Sequence, residues 1–180
     1  VDTTARVPVD EISRRALPGV NAQPHERTLS RWSETGRIDA DSTVAVADIA
    51  WAVARLNDDP ALDWLIDRLG RAAIRSETTA LGWPAGAAPM PQSGLYLAWA
   101  NAASMLHSNA DRPPPIERDA VYEAAKRYAS DSTYAREIRQ TFQARGTNLT
   151  LRDQRRMAQE TLPQATAAQI ATAMVQMAEA

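Results

Sequence analysis

The chain contains no cysteine, and histidine, lysine and phenylalanine are scarce among its 180 residues. The absence of cysteine excludes disulfides, thiolate metal ligands, a cysteine nucleophile and a thioester carrier. Because His25 and His107 are the only histidines, we expect no histidine-built zinc centre and predict no metal and no cofactor. No run approaches the roughly 18 apolar residues of a membrane span, and neither a transmembrane segment nor a signal peptide is predicted.

The chain also lacks a large excess of positive or negative charge. The formal net charge is −2, which gives no support to a generally basic nucleic-acid binder or to a polybasic membrane anchor. Arginine supplies 19 of the 20 basic side chains, and the one lysine is Lys126. GC-rich coding can produce such a ratio, and selection against amine acceptors is a second explanation.

Large aliphatic residues are few, and alanine replaces them. Leucine, isoleucine, valine and phenylalanine together number 31, whereas alanine alone numbers 35. Alanine is the best helix former, and small residues let helices cross closely. The composition therefore predicts an all-α fold, a compact bundle of about eight short-to-medium helices in one domain.

The order of the predicted helices divides the chain into two parts. Short helices over 10–17 and from Pro24 to Gly36 form a peripheral N-terminal segment, residues 1–37. Residues 38–180 form the helical bundle domain. It begins with an antiparallel hairpin whose second helix has Asp59 as its N-cap and an apolar stripe that continues to Ala73.

The middle of the chain is almost free of charge. Between positions 82 and 111 only Asp111 is charged. A loop of Gly, Pro and small residues is followed by a helix near residues 93–107 that is apolar on nearly every side. A helix without a polar face is expected at the centre of a domain or under a partner. Further helices follow, the last with an apolar stripe from Ala167 to Ala178.

Catalytic patterns are weak, and we predict no catalytic residue. Ser104 and His107 are three positions apart on one helix, but no nucleophile-elbow pattern surrounds any serine, so a hydrolase is the least favoured class. Gly82 and Gly86 lack the Lys-Ser/Thr of a phosphate loop. Four aspartates, Asp58, Asp59, Asp63 and Asp67, form a cluster that could hold a cation or act as general acid and base. Roles within the helix explain them better. Asp59 is expected to cap the helix, Asp63 to interact with the helix dipole and Asp67 to pair with Arg71.

A basic stripe is predicted near the C-terminus. Arg152, Arg155 and Arg156 fall on one face of a helix at i, i+3 and i+4. Such a stripe could hold phosphates or an acidic protein surface. The alternative, which we favour, is an ordinary solvated face of an amphipathic helix.

The leading site hypothesis is a partner-binding surface around residues 83–95. Exposed Trp and Met side chains in a stiff loop are typical anchors of protein interfaces. A second reading, of equal weight, makes Trp83 a lid over the end of the bundle. Trp51 lies off the apolar face of its helix and is expected to stack with Arg55. The predicted partner-binding residues are Trp83, Pro84, Met90, Leu95 and Trp51.

In overall character the cysteine-free, lysine-poor helical chain resembles the XL-box, the helical ubiquitin ligase domain of plant-pathogen type III effectors. The resemblance would cover nearly the whole chain; it carries over no functional residue, because no motif is matched. It implies a protein-interaction domain of a secreted bacterial effector that docks a host ubiquitin-conjugating enzyme non-covalently. The location would be the host cell or the cytoplasm. The alternative is a helical adaptor or scaffold module without catalysis.

Overall fold

The computed structural model describes residues 2–106, 116–146 and 166–179, together with positions 150, 152, 155, 158 and 159. Two short strands and nine helices have defined bounds within this part of the chain. A single 3₁₀ turn, Ala85–Ala87, precedes the sixth helix. The elements are β1 (Arg6–Pro8), α1 (Val9–Ser13), α2 (Ala22–Glu34), β2 (Thr43–Ala45), α3 (Val46–Leu56), α4 (Asp59–Leu69), α5 (Arg71–Ala80), α6 (Gln92–Leu106), α7 (Arg118–Ser130), α8 (Ser132–Arg145) and α9 (Ala167–Glu179).

The prediction of an all-α fold is confirmed. The only sheet among the described residues is a two-stranded antiparallel ribbon, in which Val7 lies opposite Val44. Both valines are buried, and the ribbon leads directly into α1 and α3. In the same part of the chain, no helix combines the length and hydropathy needed to cross a bilayer.

Residues with positive φ separate α3 from α4 and α4 from α5. Asn57 ends α3 with a φ of 53°, and the adjacent Asp58 is the N-cap of α4. The predicted cap, Asp59, instead lies in the first turn of that helix. Gly70, with a φ of 81°, separates α4 from α5, so the stripe expected to continue to Ala73 belongs to two helices. Glycine adopts this conformation without the steric cost that a Cβ imposes.

The apolar helix expected near 93–107 is α6, and it lies between α4 and α7. Its crossing with α7 depends on Gly94, because a Cβ at this position would come within 2.0 Å of the carbonyl oxygen of Val121. The small residue therefore lets the two backbones approach closely, as the composition predicted for helix crossings.

Three clusters of buried apolar side chains form the core. The N-terminal segment, expected to be peripheral, supplies Ile12 and Trp32 to the first and Leu17 to the third, all fully buried. The first cluster contains Val7, Ile12, Trp32, Val44, Val46, Ile49, Ala52, Ala61 and Trp64. The second contains Met90, Leu95, Trp99 and Val121. The third contains Leu17, Leu97, Tyr128, Ala135 and Phe142.

Side chains of α7 and α8 attach the N-terminal segment to the rest of the fold. The Tyr128 hydroxyl donates to the carbonyl of Ala16 at 2.7 Å. Arg139 donates to the Tyr128 hydroxyl and to the carbonyl of Arg14, at 3.1 and 2.9 Å. The turn after α1 is therefore joined to α7 and α8, because its carbonyls accept hydrogen bonds from these distant helices.

Candidate functional site

Two of the predicted partner-binding residues are buried. Met90 is 2% exposed and Leu95 is 1% exposed, and both pack in the second cluster against Trp99 and Val121. The expectation that Met90 is an exposed anchor is therefore wrong, because the loop turns this side chain inward onto α6 and α7. Pro84 is exposed, and Trp83 is half-buried.

Hydrogen bonds from α7 hold the loop before α6 in place. Arg118 donates through its two terminal nitrogens to the carbonyls of Gly86 and Ala88, the first at 2.8 Å. The Tyr122 hydroxyl donates to the carbonyl of Pro89 at 2.8 Å. These loop carbonyls thus accept hydrogen bonds from side chains of α7, and the bonds hold the loop in one conformation.

Trp83 connects this loop to the C-terminal helix. Its indole N–H donates to the backbone carbonyl of Gln169 in α9, at 3.1 Å. The start of α9 is itself capped: the backbone N–H of Thr166 donates to the Gln169 side chain, and the backbone N–H of Gln169 donates to the Thr166 hydroxyl. This reciprocal pair is a capping box, which stabilises the first turn of α9 beside Trp83.

Helix α9 exposes large apolar side chains. Ile170 is 44% exposed, Val175 is 56% exposed and Met174 is 63% exposed. None of the three belongs to a core cluster. Ile170 and Met174 belong to the apolar stripe predicted for this helix, and Ala171, the third member whose exposure is described, also faces solvent.

Trp51 belongs to a different part of the molecule. It packs against the first cluster, and the guanidinium carbon of Arg37 lies 4.7 Å from its ring centroid. Arg37 also pairs with Asp48 on the same helix as Trp51. The stacking partner expected at Arg55 is thus replaced by Arg37, which reaches α3 from the loop after α2.

The structure brings together three side chains that the sequence did not connect. The Ser13 hydroxyl oxygen lies 3.0 Å from Nε2 of His25. Nδ1 of the same ring lies 2.9 and 3.1 Å from the two carboxylate oxygens of Asp58. Ser13 ends α1, His25 lies in the first turn of α2 and Asp58 caps α4 by accepting from the backbone N–H of Ala61. Sequence spacing could not reveal the group, because 33 positions separate His25 and Asp58.

Asp58 is fully buried, and its surroundings keep it charged. Burial acts to raise the pKa of this carboxyl, but hydrogen bonding to His25 and the electrostatic interaction with that ring act to lower it. Hydrogen bonds from Thr28 and from the Ala61 N–H lower the pKa further, and as a result the pKa of Asp58 lies below its usual value. Asp58 is therefore a carboxylate at neutral pH.

Asp63, one turn later on α4, caps a different helix. Its carboxyl accepts from the backbone N–H groups of Gln92 and Ser93, at 2.6 and 2.9 Å, and from the Ser93 hydroxyl. Burial raises the pKa of Asp63 to about 7 despite these bonds. The role predicted for Asp63, a favourable charge near its own helix N-terminus, is thus replaced by capping of α6.

A cleft of about 570 Å³ lies between α1, α4 and α7 and reaches Asp63. Its charged lining is mixed, and the sole lysine is part of it. Asp67 pairs there with Arg15 at 2.9 Å, whereas Arg71, its predicted partner, pairs with Asp119 and lies over the ring of Tyr122. Lining residues include Glu11, Arg15, Asp63, Ser93, Tyr122 and Lys126.

The other predicted candidates lie partly outside the described residues. Arg152 and Arg155 are exposed and helical, whereas Arg156 and His107 lie outside the part of the chain that the structure describes. Among the described residues, no group of three or more metal-ligand side chains forms a cluster that could hold an ion.

Comparison of the chain with protein-family models, with curated proteins and with solved structures finds no match.

Proposed function

We propose that this chain is a protein-interaction domain. The observation that carries the proposal is the exposed apolar surface of α9, formed by Ile170, Met174 and Val175 beside the anchored loop of Trp83 and Pro84. Exposed apolar surface of this kind is typical of sites that bind another protein.

The composition of α9 supports an apolar mode of docking. Across Ala167–Glu179 the only charged residue is Glu179. A partner helix or groove would cover Met174 and Val175 without desolvating a charge, and methionine adapts its shape to irregular surfaces. Trp83 lies at the edge of this surface, where half-buried tryptophans commonly contribute binding free energy.

In its most specific form, the proposed domain is a ubiquitin ligase that docks a charged ubiquitin-conjugating enzyme. The composition supports this version: without cysteine the chain cannot form a ubiquitin thioester, and one lysine leaves a single side-chain amine as a ubiquitin acceptor. Its setting would be a secreted bacterial effector acting inside a host cell.

The test is discharge of ubiquitin from a panel of purified ubiquitin-conjugating enzymes carrying ubiquitin as a thioester. We expect the full chain to accelerate discharge from at least one of them. The double variant Met174→Glu, Val175→Glu should abolish this acceleration, because it places two charges in the apolar surface. The matched control is Leu56→Glu, which adds a charge at an exposed leucine of α3 and should leave discharge unchanged.

The alternative, a non-catalytic adaptor, gives a different result. An adaptor would bind a partner through α9 without changing the rate of discharge. If no enzyme of the panel loses ubiquitin faster at chain concentrations that saturate binding, the ligase version is wrong. A substitution at Met90 is unsuitable for this test, because the buried side chain supports the core.

A further inference from the structure

The linked side chains of Ser13, His25 and Asp58 have the order of groups that activates a serine hydroxyl. In such an arrangement a buried carboxylate orients the imidazole, and the imidazole accepts the hydroxyl proton. Both distances in this protein are within hydrogen-bond range, at 3.0 Å for the serine contact and 2.9 Å for the shorter carboxylate contact.

The carboxylate also determines which ring nitrogen faces Ser13. Because an ionised carboxylate only accepts hydrogen bonds, Nδ1 of His25 must donate to Asp58. In the neutral ring Nε2 is then an acceptor, and the Ser13 hydroxyl donates to it. This is the tautomer that a general base toward Ser13 requires.

Burial leaves one face of the group accessible. The side chains of His25 and Asp58 are 3% and 0% exposed, whereas Ser13 is partly exposed at the end of α1. A reactant can therefore approach the hydroxyl only from the solvent side of Ser13, and the partial covering of this side chain favours small molecules.

The backbone near Ser13 indicates how far such a reaction would go. The N–H groups of the next three residues, Arg14, Arg15 and Ala16, are already bonded to the carbonyls of Asp10, Ile12 and Ser13. N–H groups in such bonds do not stabilise a developing oxyanion, which normally contributes a large part of the rate of acyl transfer. Acylation by an activated ester is therefore favoured over rapid turnover.

We infer that Ser13 is a nucleophile that His25 and Asp58 activate toward small activated carboxylic esters. The hydroxyl oxygen bonds to the ester carbonyl carbon, its proton passes to Nε2 of His25, and the bond from carbon to the leaving alcohol breaks. The alcohol leaves with the proton from Nε2, and the acyl group stays on Ser13 until water removes it slowly by the same path. This activity is independent of the proposed protein-binding function.

The test uses the full chain with 4-nitrophenyl acetate and locates the acetyl group by peptide mass mapping. We expect release of about one equivalent of nitrophenol in a burst, followed by slow turnover, with the acetyl group on Ser13. Mapping separates this adduct from acetylation of Lys126 and of the terminal amine. Ser13→Ala should remove the burst, whereas Ser30→Ala, at a serine whose hydroxyl donates to the Glu26 carbonyl, should retain it.

Two comparisons separate activation from simple chemical accessibility. Asp58→Asn keeps a capping side chain on α4 but removes the charge that orients His25, and it should slow the burst by at least about tenfold. Denaturing the wild-type chain in urea should also remove acetylation of Ser13. If the folded chain acquires no acetyl group on Ser13, or if the denatured chain acquires it as fast, the inference is overturned and the three side chains serve only to join α1, α2 and α4.

Discussion

Helices α4 and α9 depart from the usual distribution of side chains in opposite directions. The N-cap and first turns of α4 place two aspartates, Asp58 and Asp63, in the interior, whereas α9 exposes Met174 and Val175 to solvent. The aspartates have their partners within this chain: His25 for the first and the first turn of α6 for the second. The apolar residues of α9 have none in the three core clusters. Asp58 and Asp63 therefore join parts of this fold, whereas the exposed residues of α9 are the basis of the proposed binding surface.

The two aspartates of α4 differ in turn. Both are buried and both accept backbone hydrogen bonds, yet the pKa of Asp58 is lowered and that of Asp63 is raised to about 7. The difference is the imidazole of His25, which forms a hydrogen bond with Asp58 and interacts with it electrostatically. For Asp63, burial is the larger effect and its hydrogen-bond donors only reduce it.

The largest expected effect is that of Asp58→Ala. The substitution removes the cap of α4 and leaves the buried His25 ring without its acceptor, so the free energy of unfolding should fall by about 3–5 kcal/mol. Urea denaturation followed by circular dichroism measures it. The control is Asp119→Ala, which breaks an exposed pair with Arg71 and should cost less than about 1 kcal/mol. Equal losses for the two variants would contradict the role assigned to Asp58.

A smaller effect is expected from Asp63→Asn, and it depends on pH. Because the folded pKa, about 7, lies above the model value of 3.8, the folded chain binds more protons than the unfolded chain between these values. Wild-type stability contributed by this group therefore falls as pH rises from about 4 to 7 and is constant above that. Between pH 5 and pH 8 this carboxyl should lower the free energy of unfolding of the wild type by about 3 kcal/mol, and the variant should not show that decrease.

The measurement for Asp63 is urea unfolding of both proteins at the two pH values. The difference between wild type and variant isolates this carboxyl, because Asp59, whose pKa burial also raises, is present in both. Asp119→Asn serves as the control at an exposed carboxylate. A decrease of the same size in wild type and in Asp63→Asn would show that another group causes it.

The smallest effect is expected from Met174→Ala in α9. Because this side chain is 63% exposed, its removal should change the free energy of unfolding by less than about 0.5 kcal/mol. Met90→Ala, at a site 2% exposed, should cost about 2–5 kcal/mol in the same urea experiment. A large loss at Met174 would mean that α9 is covered within this chain, and the proposed binding surface would have to be abandoned.

The sequence predicted the helical class and most helices because both follow from local properties. Alanine content and apolar spacing predicted α3, α4, α6, α7 and α8. The break at Gly70 was missed, because the apolar spacing continues through it although the backbone does not. The ribbon of β1 and β2 was missed because three residues per strand carry no periodic signal.

The candidate sites were harder to predict because they depend on contacts between distant residues. Met90 was expected outside because its loop is rich in proline and glycine, but such a loop can still direct one side chain inward. His25 was considered only as a lone histidine, and nothing local signals that Ser13 and Asp58 face it from two other elements. The partner-binding role of Trp83 and Pro84 stays a prediction.

By itself the sequence determined the helical class, because alanine content and helical periodicity act on each segment separately. The absence of cysteine excluded every chemistry in which this chain would supply a thiolate. Only the tertiary structure decided which polar groups meet. It placed His25 between Ser13 and Asp58, made Asp63 the cap of another helix, and left the apolar face of α9 exposed. The physical reason is that burial and pairing depend on what lies opposite a side chain, and in a folded chain that neighbour can come from any part of the sequence.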